Sequence, residues 1–244
     1  GRLPFDWPGT DCGGANGAPT VLFKRGYGLN GMERRVIGAL QVDNAAACAA
    51  RDRLSIFPAS AQAGFVLQAA GVGGDPLGGP ISGELSGSLM LPADAAVLKV
   101  ENAQIHTQQD ARRLTWLSPA VLQARAMGTT DLSAFAARGG VLQFDVVVSQ
   151  APAGPVTLGM QCSAGCLGEV PVGRALRDAA GKGRRTVKIP LACLSAAGAD
   201  LTRIDMPFRL RAGPPLVAAF TRIEVAMDGS SAYAPSAIAQ CPND

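Results

Sequence analysis

The chain is poor in the residues that acid–base catalysis and sugar stacking draw on. It has one histidine, two tryptophans and two tyrosines among 244 residues, and 17% of its residues are charged. With one histidine, His106, no Ser-His-Asp triad can form unless that residue takes part. No G-x-S-x-G elbow, H-E-x-x-H pair or phosphate-cradling glycine loop occurs. GVGGD and GGP read as turns, because no helix follows them. No apolar run is long enough to span a bilayer. Net charge is +3 with both signs interspersed, and no basic stripe carries interleaved aromatics, so no nucleic-acid partner is expected. Asp and Glu are scattered, which argues against a calcium site. No cofactor is implied. The opening GRLPFDWPGT lacks the charged start and apolar core of a signal peptide. With no initiator Met, the expectation is that the chain begins inside a longer precursor.

What is abundant is glycine and proline, 30 and 17 residues spread along the chain. That pattern suits a loop-rich, mostly β protein. Residues 1–30 read as irregular, with one short strand at Val21–Lys24 and too few apolar residues for their own core. Residues 31–52 read as a linker with one or two helical turns around Met32, Val36, Ile37 and Leu40. From Arg53 the pattern predicts strands over Leu54–Phe57, Gly64–Ala70, Ser86–Leu91, Ala95–Asn102, Arg112–Leu117 and Ala120–Met127. Further strands follow over Arg185–Leu191, Pro207–Arg211 and Leu216–Met227. Short helices are predicted over Asp131–Ala137, with Asp131 as N-cap, and Val172–Ala180. The strongest period-2 stretch is Val141–Gln161, broken by SQAPAGP, and it predicts a β-hairpin at the centre of the core. The fold expected is a mostly β jelly-roll sandwich over 53–230, with a tail at 231–244.

Six cysteines, Cys12, Cys48, Cys162, Cys166, Cys193 and Cys241, suggest disulfides and an oxidising compartment, periplasmic or secreted. Cys162 and Cys166 can close a short loop in CSAGC. Cys12 with Cys48 and Cys193 with Cys241 are then the simplest pairs. The alternatives are reduced, buried thiols, or a zinc set of Cys162, Cys166, Cys193 and His106. The missing C-x₂-C spacing counts against the zinc set.

Catalytic residues are not singled out by any motif. For sugar contact the candidates are Asp110, Arg112, Arg113 and Trp116 in DARRLTW, set against Trp116 as a packing residue beside Leu114. Gln143, Asp145, Gln161, Lys188, Arg222 and Glu224 alternate outward and are expected to form a solvated polar face. His106 is expected to be an ordinary surface or hydrogen-bonded histidine.

GRLPFDWP followed by VLFKRGYGL resembles the end of the second domain of glycoside hydrolase family 3. QQDARRLTW, VLQFDVVVSQAPAGPVTLGMQC, LRDAAGKGRRTVKIPLACL and AAGADLTRIDMPFRL resemble the galactose-binding-like domain appended to bacterial family 3 β-glucosidases and exo-β-glucanases. The resemblance implies the accessory C-terminal part of a retaining enzyme, partnered by its own catalytic domains and by β-glucan. It also implies that nucleophile and acid/base lie upstream of Gly1. Asp6-Trp7 imitates the family's S-D-W nucleophile motif, but Phe5 replaces the serine, so Asp6 is not assigned that role. The alternative is an autonomous, non-catalytic carbohydrate-binding module.

Overall fold

The structure, a computed structural model, describes residues 53–58, 64–83, 85–107, 109–162, 165–227, 237–238 and 241. The chain divides into two compact units, Gly1–Asp52 and Arg53–Asp244. The features expected before Arg53, including Val21–Lys24, the helical turns, Cys12 and Cys48, lie outside the described residues.

The described part is built from thirteen strands and three short helices. The strands are β1 (Arg53–Phe57), β2 (Phe65–Ala70), β3 (Leu89–Leu91), β4 (Leu98–Ala103), β5 (Ala111–Trp116), β6 (Ala120–Ala126) and β7 (Gly140–Gln150). They continue as β8 (Thr157–Cys162), β9 (Leu167–Pro171), β10 (Arg184–Pro190), β11 (Ile204–Ala212), β12 (Val217–Met227) and β13 (Ala237–Ile238). The helices are α1 (Ser133–Ala137), α2 (Gly173–Ala179) and α3 (Leu191–Ala196). One sheet has eight strands, ordered β13-β10-β7-β12-β5-β4-β3, with β1 also beside β12. The other has five, ordered β2-β6-β11-β8-β9. This is the expected mostly β sandwich.

Alternation explains which residues face inward. On β7, Leu142, Phe144, Val146 and Val148 are buried in the core, as are Leu158 and Met160 on β8. A line of rings crosses between the sheets. Trp116 meets Phe220 edge-on at 6.1 Å, Phe220 meets Phe144 at 5.8 Å, and Phe144 meets Phe208 edge-on at 5.6 Å. Edge-to-face contacts of this kind add about 0.5–1.5 kcal/mol each beyond burial.

The predicted hairpin does not form. β7 pairs with β10 and β12 in the larger sheet, whereas β8 pairs with β11 and β9 in the smaller one. The turn between Gln150 and Thr157 therefore carries the chain from one sheet to the other. Both inner faces point into the same core, so the alternation is identical for a hairpin and for a crossing. Period-2 patterning reports faces, not partners.

Smaller differences also have local causes. α1 begins at Ser133, not Asp131; its N-cap is Leu132, with no side-chain cap bond. Asp131 stands just outside and accepts the Ser133 amide at 2.8 Å. The strand predicted to reach Leu191 ends at Pro190, and α3 follows, burying Leu191, Cys193 and Leu194. β9 was not predicted; it is short and contains Gly168. A Cβ there would stand 2.2 Å from the Leu194 carbonyl oxygen and 2.6 Å from the Ala199 nitrogen. Glycine is what lets β9 lie under the end of α3.

Among the described residues two disulfides form, Cys162–Cys166 and Cys193–Cys241. The Asp200 amide lies 3.1 Å and 3.2 Å from the Cys162 and Cys166 sulfurs. For these four cysteines the thiol and zinc alternatives fall, because each sulfur is bonded to another. Among the described residues no group of His, Cys, Asp and Glu is arranged to hold a metal.

Candidate functional site

The four sequence candidates sit on or beside β5 but do not share a surface. Trp116 is 1% exposed. Its ring packs on Phe220 and its indole N–H donates to the Ala120 carbonyl at 3.3 Å. Arg112 is 3% exposed. It pairs in register with Phe220, an inward residue, so its guanidinium is directed into the sandwich. There it donates to the carbonyls of Ile81 (2.8 Å), Ala111 (2.9 Å), Gln109, Ser82 and Gly83, and lies 5.5 Å from the centre of the Phe57 ring. This places Arg112 as a clamp that fixes the 81–83 loop, and Trp116 as a core residue. Neither side chain is open to a sugar in this arrangement. Asp110 is half-buried, and its carboxylate accepts the amides of Ile105 (2.8 Å) and His106 (3.0 Å), tying off the turn before β5. Arg113 is exposed, on the outer face of the larger sheet opposite Glu101 and Ala219.

The polar face expected to be solvated is instead largely buried. Asp145 and Gln143 are each 3% exposed, Glu224 4% and Lys188 7%. Asp145 is central: His106 Nε2 lies 2.6 Å from one oxygen, and the Thr186 hydroxyl donates to the other at 2.5 Å. Arg184 Nη1 and Arg222 Nη1 stand 4.0 and 3.9 Å away. Arg184 Nη1 also lies 2.9 Å from His106 Nδ1. An arginine can only donate, so Nδ1 accepts and Nε2 carries the hydrogen given to Asp145. Glu224 accepts from Gln143 Nε2 at 2.5 Å and is flanked by Arg53 at 3.5 Å and Arg222 at 3.9 Å. Arg222 reaches both acids because β12 bulges between Thr221 and Glu224, where Arg222 takes a φ of 49°. Two buried carboxylates are thus matched by cations, as burial of charge requires. Each is engaged in structure rather than poised over an open cleft.

Gln161 belongs to the smaller sheet, whose outer face carries residues the sequence did not mark. Register places Gln68, Gln123, Arg209, Gly159 and Glu169 in one row across all five strands. Arg209 Nη1 donates to Glu169 at 2.5 Å, and Arg209 Nη2 donates to the Val72 carbonyl at 3.2 Å. Gln123 is fully buried, yet neither its amide oxygen nor its nitrogen has a partner. Gln68 Nε2 and Arg209 Nε are likewise unpartnered. The available signal was a glutamine inside each of two otherwise apolar runs, FVLQAA and AVLQA.

Hydrogen bonds from the Ser133 hydroxyl and amide hold the Asp131 carboxyl below its ordinary value. The Thr202 hydroxyl and amide do the same for Asp200, aided by Arg203.

Comparison with known proteins gives a consistent result. Residues 84–225 match the family model Exop_C, described as galactose-binding domain-like. No curated protein sequence matches the chain. Among solved structures, the extra C-terminal domain of the exo-1,3/1,4-β-glucanase ExoP from a Pseudoalteromonas species aligns at a TM-score of 0.59 and 18% identity. The alignment covers 79% of this chain and 99% of that domain. The whole ExoP enzyme aligns at 0.57 and 20% identity over 77% of this chain, which spans 21% of the enzyme's length. A family 30 carbohydrate-binding module from a cellulosomal cellulase of Clostridium thermocellum aligns at 0.50 and 16% identity, over 72% of this chain and 98% of the module. At these identities the structures share a fold.

Proposed function

The chain belongs to the Exop_C family of galactose-binding-like domains, and from that premise we propose that it is the accessory, non-catalytic C-terminal part of a retaining family 3 β-glucosidase or exo-β-glucanase. The observation that carries this is the alignment with almost the whole of the extra C-terminal domain of ExoP. The GRLPFDWP and VLFKRGYGL motifs support it, since they resemble the end of a family 3 second domain. On this reading 1–30 is the tail of that domain, 31–52 a linker, 53–230 the sandwich and 231–244 a tail. The parent releases glucose from β-glucan ends, and its nucleophile and acid/base are upstream. Two disulfides fit a periplasmic or secreted enzyme. No helix among the described residues is long and apolar enough to cross a membrane.

The sandwich then has two tasks, stabilising the catalytic body and touching glucan. Of the four candidates on or beside β5, Arg113 is the exposed one, which supports it as the side chain to touch glucan. The expected outcome is that the 244-residue protein leaves an aryl β-glucoside unhydrolysed, while deletion from Gly31 onward lowers the thermal midpoint of its parent. Turnover by the isolated protein at a normal glycosidase rate would overturn the non-catalytic assignment. Autonomous glucan binding is the second reading. The alignment with a family 30 carbohydrate-binding module favours it.

A further inference from the structure

Positive charge is gathered in one stretch of the chain. Residues 174–185 hold five bases, Arg174, Arg177, Lys182, Arg184 and Arg185, and one acid, Asp178. Of the chain's 22 bases and 19 acids, 17 and 18 lie elsewhere, so this stretch accounts for the whole positive balance. All five bases stand at exposed positions. The Arg174 side chain is 92% exposed.

The bases are carried on ordered elements. α2 buries Leu176 and Ala179 against the sandwich. Arg174 and Arg177, three residues apart, therefore share an outward face. Beyond the helix the Gly181 amide donates to the Val148 carbonyl and the Lys182 amide to the Ala179 carbonyl, each at 3.1 Å. Gly181 and Gly183 take φ of 70° and 67°, which a residue with a Cβ adopts only at a cost. The turn they make holds Lys182 between α2 and β10. β10 then opens with Arg184 and Arg185, opposite Val147 and Val146 of β7.

The described surroundings leave most of this charge unmatched. Arg174 stands 4.0 Å from Asp178, with both side chains in solvent. Arg177, Lys182 and Arg185 make no ion pair with a described residue. The Val172 amide donates to the Val156 carbonyl at 2.8 Å, which sets α2 beside the crossing between the sheets. That crossing, 149–156, contains no charged residue. Arg184 differs from the others, because it already serves His106 and Asp145. Like charges three apart weaken a helix slightly, and exposed ion pairs contribute little, so fold stability does not call for the array.

The residue types select the partner. A lipid surface calls for apolar side chains projecting among the cations. Here Leu176 is buried and the stretch otherwise offers only alanines. Single-stranded nucleic acid is gripped by aromatics interleaved with bases, and a protein partner centres on an aromatic or apolar anchor. Residues 174–185 contain no aromatic. A hydrated linear polyanion needs the charges alone. Arginine's planar fork matches a carboxylate with two parallel hydrogen bonds. We propose that α2 and the 181–185 turn bind a carboxylate-bearing polysaccharide, a polyuronate, through Arg174, Arg177, Lys182 and Arg185. The proposal rests on the glucan-enzyme reading above only in taking the polyanion to be a glycan.

The test is calorimetric titration of the 244-residue protein with polygalacturonate. Binding is expected at about 20 mM salt, weakening at least about tenfold by about 200 mM as counterions cease to be released. Arg174→Glu/Arg177→Glu and Lys182→Glu/Arg185→Glu should each weaken it at least about tenfold at low salt. The second pair lies outside α2 and decides the matter if the first disturbs the helix, as circular dichroism would show. Arg125→Glu, at an exposed position toward the far end of β6, should leave the affinity unchanged. No binding at about 20 mM salt overturns the proposal. So does affinity untouched by both pairs, or an equal loss in Arg125→Glu, which would report net charge alone. Tighter binding to phosphatidylglycerol vesicles or to DNA than to polygalacturonate also overturns it. The glucan reading is tested apart, by the aryl glucoside and the truncated parent, and does not fall with this one.

Discussion

Trp116 decides between two roles, and Trp116→Ala separates them quantitatively. The ring is 1% exposed, contacts Phe220 edge-on at 6.1 Å, and donates its N–H to Ala120. A buried tryptophan removes about 150–250 Å² from water. At about 25 cal/mol per Å² this is about 4–6 kcal/mol, an upper estimate that a compact denatured chain reduces by about 10–40%. Truncations of this kind cost about 3–5 kcal/mol, so we expect about 4. For a domain of this size that lowers Tm by about 8–16 °C. Trp116→Phe keeps most of the packing and should cost about half as much. Urea unfolding followed by far-ultraviolet circular dichroism measures both variants without depending on the lost fluorophore. Glucan affinity, measured well below the lowered Tm, should be unchanged. A loss of stability under about 1 kcal/mol together with lost affinity would refute the reasoning, because it would require an exposed, sugar-stacking ring.

Two further predictions concern cross-links and acid. The disulfides close loops of different length, with sequence separations of 4 and 48. Chain entropy then predicts a loss of about 2 kcal/mol for Cys162→Ser/Cys166→Ser and about 4 for Cys193→Ser/Cys241→Ser; equal losses in urea titrations would contradict it. Asp131 and Asp200 have carboxyls held below the ordinary value of 3.8. Their folded form is therefore favoured while they are ionised, and that stabilisation is present above about pH 4 and disappears as pH falls through the depressed folded values. The double variant Asp131→Asn/Asp200→Asn should flatten the fall in stability between about pH 5 and pH 2, as read from urea midpoints.

The sequence displays faces far better than neighbours. Leu142, Phe144, Val146 and Val148 read as inward and are inward, because alternation is local geometry. That β7 and β8 belong to different sheets depends on contacts with β10, β11 and β12, distant in the chain, and no local pattern encodes them. Trp116 is buried, as its packing reading expected, because it shares the inward face with Leu114, which is again local alternation. The solvated-face expectation failed at Asp145 and Glu224 because charge alone suggests exposure. Only the structure brings His106, Arg184, Arg222 and Arg53 alongside them. The row on the smaller sheet escaped notice because it joins single residues from five strands, each unremarkable in its own segment.

The pairing of β1 with β12 sets a timetable for the chain's synthesis. Arg53 opposes Ala226, and Phe57 opposes Ile223. At about 5–20 residues per second, β1 leaves the ribosome about 10–30 s before its partner is made. During that interval Leu54, Ile56 and Phe57 have no strand beside them, and any upstream region must fold while its immediate sequel is still waiting. A nascent chain arrested before Val217 should therefore remain protease-sensitive at β1 and become protected only when β12 is complete. The last long strand acts as a lock on the first.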